Sequence, residues 1–391
     1  MRGKVAKSDP KPWVTHRGAE ALNTPLNLNY TPQHYKQTLT TAKMTQNKTL
    51  IFKKVPTGFP VAGEHLVVED RPIDLDAPAP QGGVVVKILY ASYDPYLRGK
   101  MRDSKTKSYS PAFELDAPIT NDTVSKVLKS DNPDFKEGET VLGYLPIAEY
   151  ARVSKEQMAG LRKINNPHNL DAAYFIGPLG MPGLTAYSGL HKIGKPQKGE
   201  TIFISSAAGA VGQVVGQVAK REGLRVIGSV GSDEKLDFIT KELGFDGGFN
   251  YKKEKPLDAL KRLAPDGIDI YFENVGGEQL EAAIECMNQH GRIAACGMIS
   301  GYNQKPQERY GVTNLFHIVS KRLVIEGFIV SDKDFGPTYA KEHQENLQKW
   351  LAEGSVKAKL HVTEGIDKAA EGLIGIFKGE NFGKAVVKIG A

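Results

Sequence analysis

The sequence predicts an α/β protein in which a β-rich first part precedes a doubly wound parallel sheet. Three observations predict it. Between residues 200 and 330, short apolar runs alternate with helical segments, the pattern of a parallel sheet covered on both faces. Between 49 and about 165 the apolar runs are strand-like and are punctuated by Pro and Gly. The chain has 391 residues, long for one domain and comfortable for two.

In chain order, VVVKILYAS (84–92) is a strong strand, and ETVLGYLPIAEYARVS (139–154) reads as two strands around Gly143 and Pro146. The segment 171–194 has a helical pattern broken by Pro178 and Pro182, which predicts two short helices. TIFISS (201–206) is a buried strand, and AVGQVVGQVAKREG (210–223) is a helix ended by Gly223. LRVIGSV (224–230) is a strand, and SDEKLDFITKELG (232–244) is a helix with an acidic first turn. The alternation continues through FNY, PLDALKRLA, IDIYFEN, EQLEAAIECMN and RIAAC, and LVIEGFIV (323–330) closes it as a sixth strand. The tail, 355–391, reads as short strands and one helix that return to the first domain. The expected division is 45–170 for the first domain, 171–345 for the second, and 346–391 completing the first.

Residues 1–43 hold seven Lys or Arg against two acids, so +5 of the net +6 lies there. The remainder is close to neutral and shows no basic-aromatic stripe, which argues against a nucleic-acid partner. This first segment is poor in apolar residues and carries Pro10, Pro12, Pro25 and Pro32. It lacks the apolar region of a secretory signal, and its prolines break the helix an organelle address would need. Residues 1–44 are therefore expected to be a disordered or non-native extension, with the working protein starting at Met44. No apolar stretch approaches the roughly 20 residues of a membrane span. Two cysteines, Cys286 and Cys296, suit a reducing, cytoplasmic setting better than a disulfide framework.

The turn after the first parallel strand reads SSAAGAVGQ, with Ala207, Gly209 and Gly212 in the places of a G-x-G-x-x-G pattern. Between a buried strand and a helix, this is a dinucleotide turn. Gly209 would let backbone approach a pyrophosphate, and Gly212 would let helix pack on sheet. The helix N-terminus would bind the phosphates through free N–H groups. The plain alternative is a tight strand–helix turn without a ligand. At the end of the second strand an NAD enzyme usually places an acid on the ribose 2′-OH. Here that strand ends at Ser229 and Val230, and Asp233 and Glu234 lie beyond it, where they read as helix-capping acids. Lys235 and Tyr251 could instead grip a 2′-phosphate, so the reading favours NADPH over NADH. By itself, Lys235 reads equally well as a solvated helix lysine.

A catalytic zinc needs three protein ligands. With two cysteines and nine scattered histidines, none in an H-x-x-x-H pair, the ligand count fails. Cys286 reads as core filler on a helix. Tyr251-KKE-Lys255 matches the Y-x-x-x-K pattern of short-chain dehydrogenases, but it sits at a strand end and reads as coincidence.

The stretches AAGAVGQVVGQVAK, GSDEK, FNYK, YFENVGGE, CGMISGYN, EGFIVSD and NFGKAVV, in this order, resemble zinc-independent medium-chain dehydrogenases/reductases. YASYDPYLRGKM (90–101) is similar to the L-x-x-D-P-Y-M-R-G-R-M signature of one branch. That branch contains prostaglandin reductase (leukotriene B4 12-hydroxydehydrogenase) and the plant alkenal double-bond reductases. The resemblance runs from about 48 to 390. It implies a GroES-like first domain, a Rossmann second domain, an NADPH cofactor and a homodimer with LVIEGFIV near a sheet edge. It further implies that Gly209, Ala210, Val211 and Gly212 hold the pyrophosphate, Lys235 and Tyr251 the 2′-phosphate, and that Asn274 lies beside the cofactor. Cys296, Gly297, Met298, Ile299, Ser300, Gly301 and Tyr302 would run along the nicotinamide ribose. Phe328, Ile329 and Val330 would contact the carboxamide, and Asn381 the pyrophosphate side. Tyr90, Asp94, Tyr96 and Arg98 would shape the substrate end. Asp94 and Arg98 read equally as an internal ion pair that fixes the loop. Tyr93, Leu97, Lys100 and Gly301 depart from the family pattern near the substrate.

The implied reaction is NADPH-dependent reduction of the C=C bond of an enone or alkenal. Tyr302, with the ribose 2′-OH, would donate a hydrogen bond to the carbonyl oxygen in place of a zinc ion. The alternative role for Tyr302 is packing against the ribose. Rival readings are alcohol oxidation or quinone reduction on the same scaffold, and a non-catalytic NADPH-binding protein.

Overall fold

The computed structural model describes residues 43–390. The expectation for residues 1–44 lies, but for its last two positions, outside the described residues.

The second part of the chain forms six parallel strands: β1 (Thr201–Ile204), β2 (Arg225–Val230), β3 (Gly247–Asn250), β4 (Ile268–Glu273), β5 (Met287–Ala295) and β6 (Val324–Gly327). Their spatial order is 3-2-1-4-5-6, the doubly wound order. Alternate residues feed two cores. Ile202, Ile204, Val226, Ile270 and Phe272 face one helical layer. Phe203, Ile227, Phe249, Tyr271 and Ile293 face the other. This is the strand period of two at work on strands buried on both faces. Phe203 stacks on Tyr271 with ring centroids 4.8 Å apart.

Helices α1 (Gly212–Arg221), α2 (Asp233–Asp237), α3 (Pro256–Leu263) and α4 (Gly277–Cys286) cross between these strands. In α1, Val214, Val215, Val218 and Ala219 are buried and Lys220 and Arg221 close the last turn. Ser232 caps α2 by accepting from the Lys235 N–H at 3.3 Å. The helix expected over 232–244 is α-helical only to Asp237 and continues as a π turn, Phe238–Glu242. Tyr251 begins the turn after β3 rather than ending the strand. The sixth strand is shorter than LVIEGFIV, because Phe328 turns inward onto Phe272 and Phe335, its ring 4.9 Å from that of Phe335. The segment 171–194 gives a 3₁₀ turn (Ala172–Ile176), a helix (Met181–Gly189) with proline in its first turn, and a π turn (Leu190–Gly194).

The first part is β-rich. Val84–Ser92 pairs with Thr120–Ser130 on one side and with the C-terminal strand Lys384–Lys388 on the other. Lys384–Lys388 in turn pairs with Leu360–Glu364, so the tail completes a seven-stranded sheet begun by the first domain. The helix Ala369–Phe377 buries Ala370, Leu373 and Ile374 in the same core as Leu50, Phe52 and Leu97. The division expected after residue 345 falls inside the helix Gly336–Ala352. That helix packs on the start of the Met181–Gly189 segment, where Gln344 donates to the Leu179 carbonyl at 2.7 Å.

Candidate functional site

In a 3-2-1-4-5-6 sheet the strand order reverses between β1 and β4, and loops at the carboxyl ends of those strands open a crevice there. The loop after β1 is the glycine turn. Ser206 takes φ +52° to start it. A Cβ on Gly212 would stand 2.4 Å from the Ser206 carbonyl oxygen, and one on Gly209 2.9 Å from Ser206 Oγ. Gly212 admits no side chain without movement of the turn, whereas at Gly209 the nearest atom belongs to the Ser206 side chain and the Ser206 carbonyl oxygen is 3.0 Å away. Val211 provides no side-chain cap for α1; the Gln213 and Val214 N–H groups donate to the Gly209 and Val211 carbonyls at 3.1 and 3.0 Å, which leaves the Gly212 N–H at the start of the helix for an anion. The turn Asn381–Gly383 lies against this loop through a bridge between Gly383 and Gly209. Asn381 Nδ2 donates to the Gly383 carbonyl at 2.8 Å. Ala210 and Val211 follow in the same turn.

The loop after β4 is tied to the first. The Asn274 N–H donates to Ser205 Oγ and its Nδ2 to the Ser205 carbonyl, both at 2.8 Å. The buried Glu273 carboxylate accepts from the N–H groups of Val275 and Gly276 at 2.5 and 2.8 Å and from Ser205 Oγ at 3.1 Å. Burial raises its pKa. The loop after β5 is strapped on top: Cys296 and Gly297 donate N–H to the Glu273 carbonyl, Ile299 to Asn274, and Ser300 to Val275. Burial, with Glu273 adding to it, pushes the Cys296 thiol up to about 12. Cys296 is a neutral thiol at any physiological pH.

At the end of β2, Asp233 is committed: it accepts from Asn250 Nδ2 at 2.9 Å and pairs with Lys253. It therefore cannot serve as the free acid that marks a ribose 2′-OH site. Lys235 Nζ donates to the Gly379 carbonyl at 2.8 Å, and burial, with Lys252 nearby, lowers its pKa. The Tyr251 hydroxyl stands 2.9 Å from where a Cβ on Gly231 would be. Lys235, with Lys252 nearby, and Tyr251 thus provide two cations and a phenol beyond the end of β2, and the chemistry of this set fits the 2′-phosphate of NADP(H). Tyr251 and Lys255 do not share a helix: Tyr251 is in a turn and Lys255 is the N-cap of α3.

Two cavities adjoin the loop after β5. One, of about 360 Å³, is lined by Cys296, Gly297, Met298, Phe328 and Ile329 together with Asp332. Val330 is not in its wall; its carbonyl accepts from the Gly336 N–H. The other, of about 450 Å³, brings Tyr302, Ser300 and Gly301 to Tyr96 and Arg98 of the first domain. The Tyr302 hydroxyl accepts from the Met298 N–H at 3.4 Å. Burial raises its pKa.

Tyr90 and Asp94 do not line that cavity. Tyr90 pairs across the sheet with Lys388. Asp94 makes no ion pair with Arg98. Its Oδ1 accepts from Lys384 Nζ at 2.7 Å, with both side chains almost fully buried, and its Oδ2 accepts from Ser92 Oγ and from Asn121 Nδ2. Asn121 Oδ1 accepts from Tyr96 Oη at 2.5 Å, so the ion pair supports the cavity wall at one remove. Arg98 instead donates to Asn303 Oδ1 at 2.7 Å and to the Gly58 carbonyl at 2.7 Å. Sequence reasoning missed Ser205, Glu273 and Lys384, and also Arg102, Tyr109, Arg309 and Tyr310 of the larger cavity. Lys384 sits in the NFGKAVV stretch, the one signal that pointed toward it.

Among the described residues no group of three or more His, Cys, Asp or Glu side chains could hold a metal ion, and no helix is long and apolar enough to cross a membrane. Comparison with known proteins agrees with this crevice. Residues 48–161 match the family described as N-terminal domain of oxidoreductase, and 210–345 match zinc-binding dehydrogenase. The chain is 54% identical to the NADP-dependent oxidoreductase RED1 of Cochliobolus heterostrophus over 88% of this chain and 98% of that one. It is 44% identical to a 2-alkenal reductase (NADP(+)-dependent) of Nicotiana tabacum over 89% and 99%. The crystal structure of CurA in complex with NADPH from Vibrio vulnificus is 35% identical and superposes with TM-score 0.80, covering 88% of this chain and 99% of that chain.

The chain belongs to the medium-chain dehydrogenase/reductase family. Within that family it is a zinc-independent, NADP(H)-dependent oxidoreductase. The family description names zinc, but the residues present around the crevice offer a dinucleotide turn and a hydroxyl-lined cavity instead.

Proposed function

We propose that this enzyme reduces the carbon–carbon double bond of α,β-unsaturated ketones and aldehydes, as a member of the branch that holds prostaglandin reductase and the plant alkenal double-bond reductases. One observation carries the reading. The Tyr302 hydroxyl stands in the larger cavity, beside the loop that borders the cofactor crevice, and its only hydrogen bond among the described residues is the long one it accepts from Met298. Its own proton is uncommitted.

NADPH, when bound, supplies the hydride that goes to the β-carbon. As that bond forms, negative charge gathers on the substrate's carbonyl oxygen. Tyr302 donates a hydrogen bond to that oxygen. Because burial raises its pKa above the ordinary tyrosine value, it stays protonated at neutral pH and donates rather than acting as a base. A proton from solvent completes the α-carbon. The tobacco relative named for 2-alkenal reduction supports this substrate class.

The test is NADPH and NADH oxidation against alkenals, enones, quinones and saturated aldehydes, with product analysis. Saturated carbonyl products from enones, with NADPH preferred, are expected. Reduction of quinones or of C=O alone would refute the reading. Tyr302→Phe is expected to lower the single-turnover rate by about 10²- to 10³-fold, the usual effect of removing one such donor. Nearly full activity would exclude Tyr302 from the chemistry.

We also propose a homodimer and a cytoplasmic setting. The outer edge of β6 is unpaired among the described residues, and Val324 is 50% exposed there, with Phe316 (75%) and Val319 (69%) close by in sequence. Such an edge is open to pairing with a second copy. Light scattering of the wild type and Ile325→Lys tests this. A monomeric wild type would refute it. Two free cysteines fit a reducing compartment, and cell fractionation tests that.

A further inference from the structure

The strand β4 reads IDIYFE, an apolar segment that ends on an acid, and Glu273 is fully buried there. It makes no ion pair among the described residues. A buried carboxylate without a cation is costly unless good donors hold it. One of its oxygens, Oε1, accepts from the Val275 N–H at 2.5 Å, from the Gly276 N–H at 2.8 Å and from Ser205 Oγ at 3.1 Å. Ser205 Oγ in turn accepts from the Asn274 N–H at 2.8 Å. Three consecutive peptide units, 273–274, 274–275 and 275–276, thus turn their N–H groups toward one carboxylate, the first of them through Ser205.

A trans peptide unit is planar, and its C=O points away from its N–H. The carbonyls of the same three units each carry part of the loop after β5. The Glu273 carbonyl accepts from the Cys296 and Gly297 N–H groups at 2.9 and 3.0 Å, and the Asn274 carbonyl from the Ile299 N–H at 3.2 Å. The Val275 carbonyl accepts from the Ser300 N–H at 3.0 Å and from Ser300 Oγ at 2.6 Å. Met298 also sits against this turn: a Cβ on Gly276 would stand 3.0 Å from the Met298 Cβ. The Met298 N–H is the group that reaches the Tyr302 hydroxyl. Resting on the reading of Tyr302 given above, we propose that Glu273 is a positioning residue for the reduction: its carboxylate fixes three peptide planes, and those planes set where the Tyr302 hydroxyl stands. Glu273 lines neither cavity, so it acts through this loop rather than on the substrate.

The test is a cycle of single-turnover rates on an enone at saturating NADPH, together with amide hydrogen exchange of the enzyme without cofactor. Glu273→Gln keeps an acceptor oxygen at the same reach and should retain most of the rate. Glu273→Leu removes the acceptor and should lower the rate toward about 10²-fold, the scale of a reacting group displaced by an ångström. In a Tyr302→Phe background the same Glu273→Leu change should cost little, because the hydroxyl it positions is already gone. The Ile299 and Ser300 amides should exchange faster in Glu273→Leu and as in the wild type in Glu273→Gln. If Glu273→Leu does not fold, Ser205→Ala, which loosens the same planes, takes its place in the cycle with the same expectation. Equal fold-losses with and without Tyr302 would overturn the proposal, as would a full rate or unchanged exchange at Ile299 and Ser300 when the acceptor is removed. Nearly full activity of Tyr302→Phe alone would instead defeat the reading of Tyr302, and this inference with it.

Discussion

The Lys384–Asp94 pair gives a prediction that can be worked from the structure. Both side chains are almost fully buried, and they meet at 2.7 Å. Lys384→Met removes the cation and its second bond, to the Tyr93 carbonyl at 2.6 Å. Asp94 then keeps donors on Oδ2 from Ser92 and Asn121, but Oδ1 loses its partner. Breaking a buried pair from one side typically costs about 3–5 kcal/mol, a large fraction of the roughly 5–15 kcal/mol that holds a domain folded. Removing both charges with Asp94→Leu and Lys384→Met leaves no buried ion. What remains is one Asn121 N–H and the Ser92 hydroxyl without an acceptor and the Tyr93 carbonyl without its Lys384 donor, while the Asn121 amide still donates to the Ser92 carbonyl at 2.8 Å. An unsatisfied buried group costs about 1–3 kcal/mol. The double variant should therefore be less destabilised than the sum of the single variants by about 2 kcal/mol or more. The assay is urea unfolding followed by circular dichroism and by fluorescence, with coincident transitions required. If Lys384→Met cost less than about 1 kcal/mol, or if the single effects simply added, the pair would not be the coupled buried ion pair the geometry describes.

Two further predictions follow from the cofactor site and the core. Lys235→Gln should raise KM for NADPH by about tenfold, the scale of one charged hydrogen bond, and leave KM for NADH nearly unchanged; equal effects on both would remove Lys235 from the 2′-phosphate site. His343 is buried and bonded to the Pro178 carbonyl at 2.9 Å, and burial lowers its pKa from 6.5 to about 4. The unfolded chain therefore binds the proton more readily. The stability contributed by neutral His343 is full above about pH 6.5 and falls away as pH drops toward about 4. His343→Gln should flatten the pH dependence of the melting temperature across that window, and an unchanged slope would refute the assignment.

How much of the site was legible depended on how far apart its parts lie in the chain. The glycine turn could be read because its constraint is local: a strand, a helix and a turn too tight for a Cβ at Gly212 occupy a dozen consecutive residues. The acid near β2 was read as a helix-capping residue. It sits in the first turn of α2, and its side chain is committed to Asn250 and Lys253. For Asp94 the sequence left two readings, the substrate end of the cleft or an internal ion pair with Arg98. The structure pairs it with Lys384, 290 residues away, because the C-terminal strand lies beside Val84–Ser92 in the sheet. Tyr90 was drawn to the substrate by its motif, but its place in the sheet register sets it opposite Lys388.

The sequence by itself determined the alternation of strands and helices and the dinucleotide turn. These follow from local propensity, periodicity and backbone constraint, which act over a few residues at a time. Only the tertiary structure decided which charges face each other. Arg309 joins Arg98 and Arg102 because two loops distant in sequence close over one cavity, and a charge is felt through space rather than along the chain.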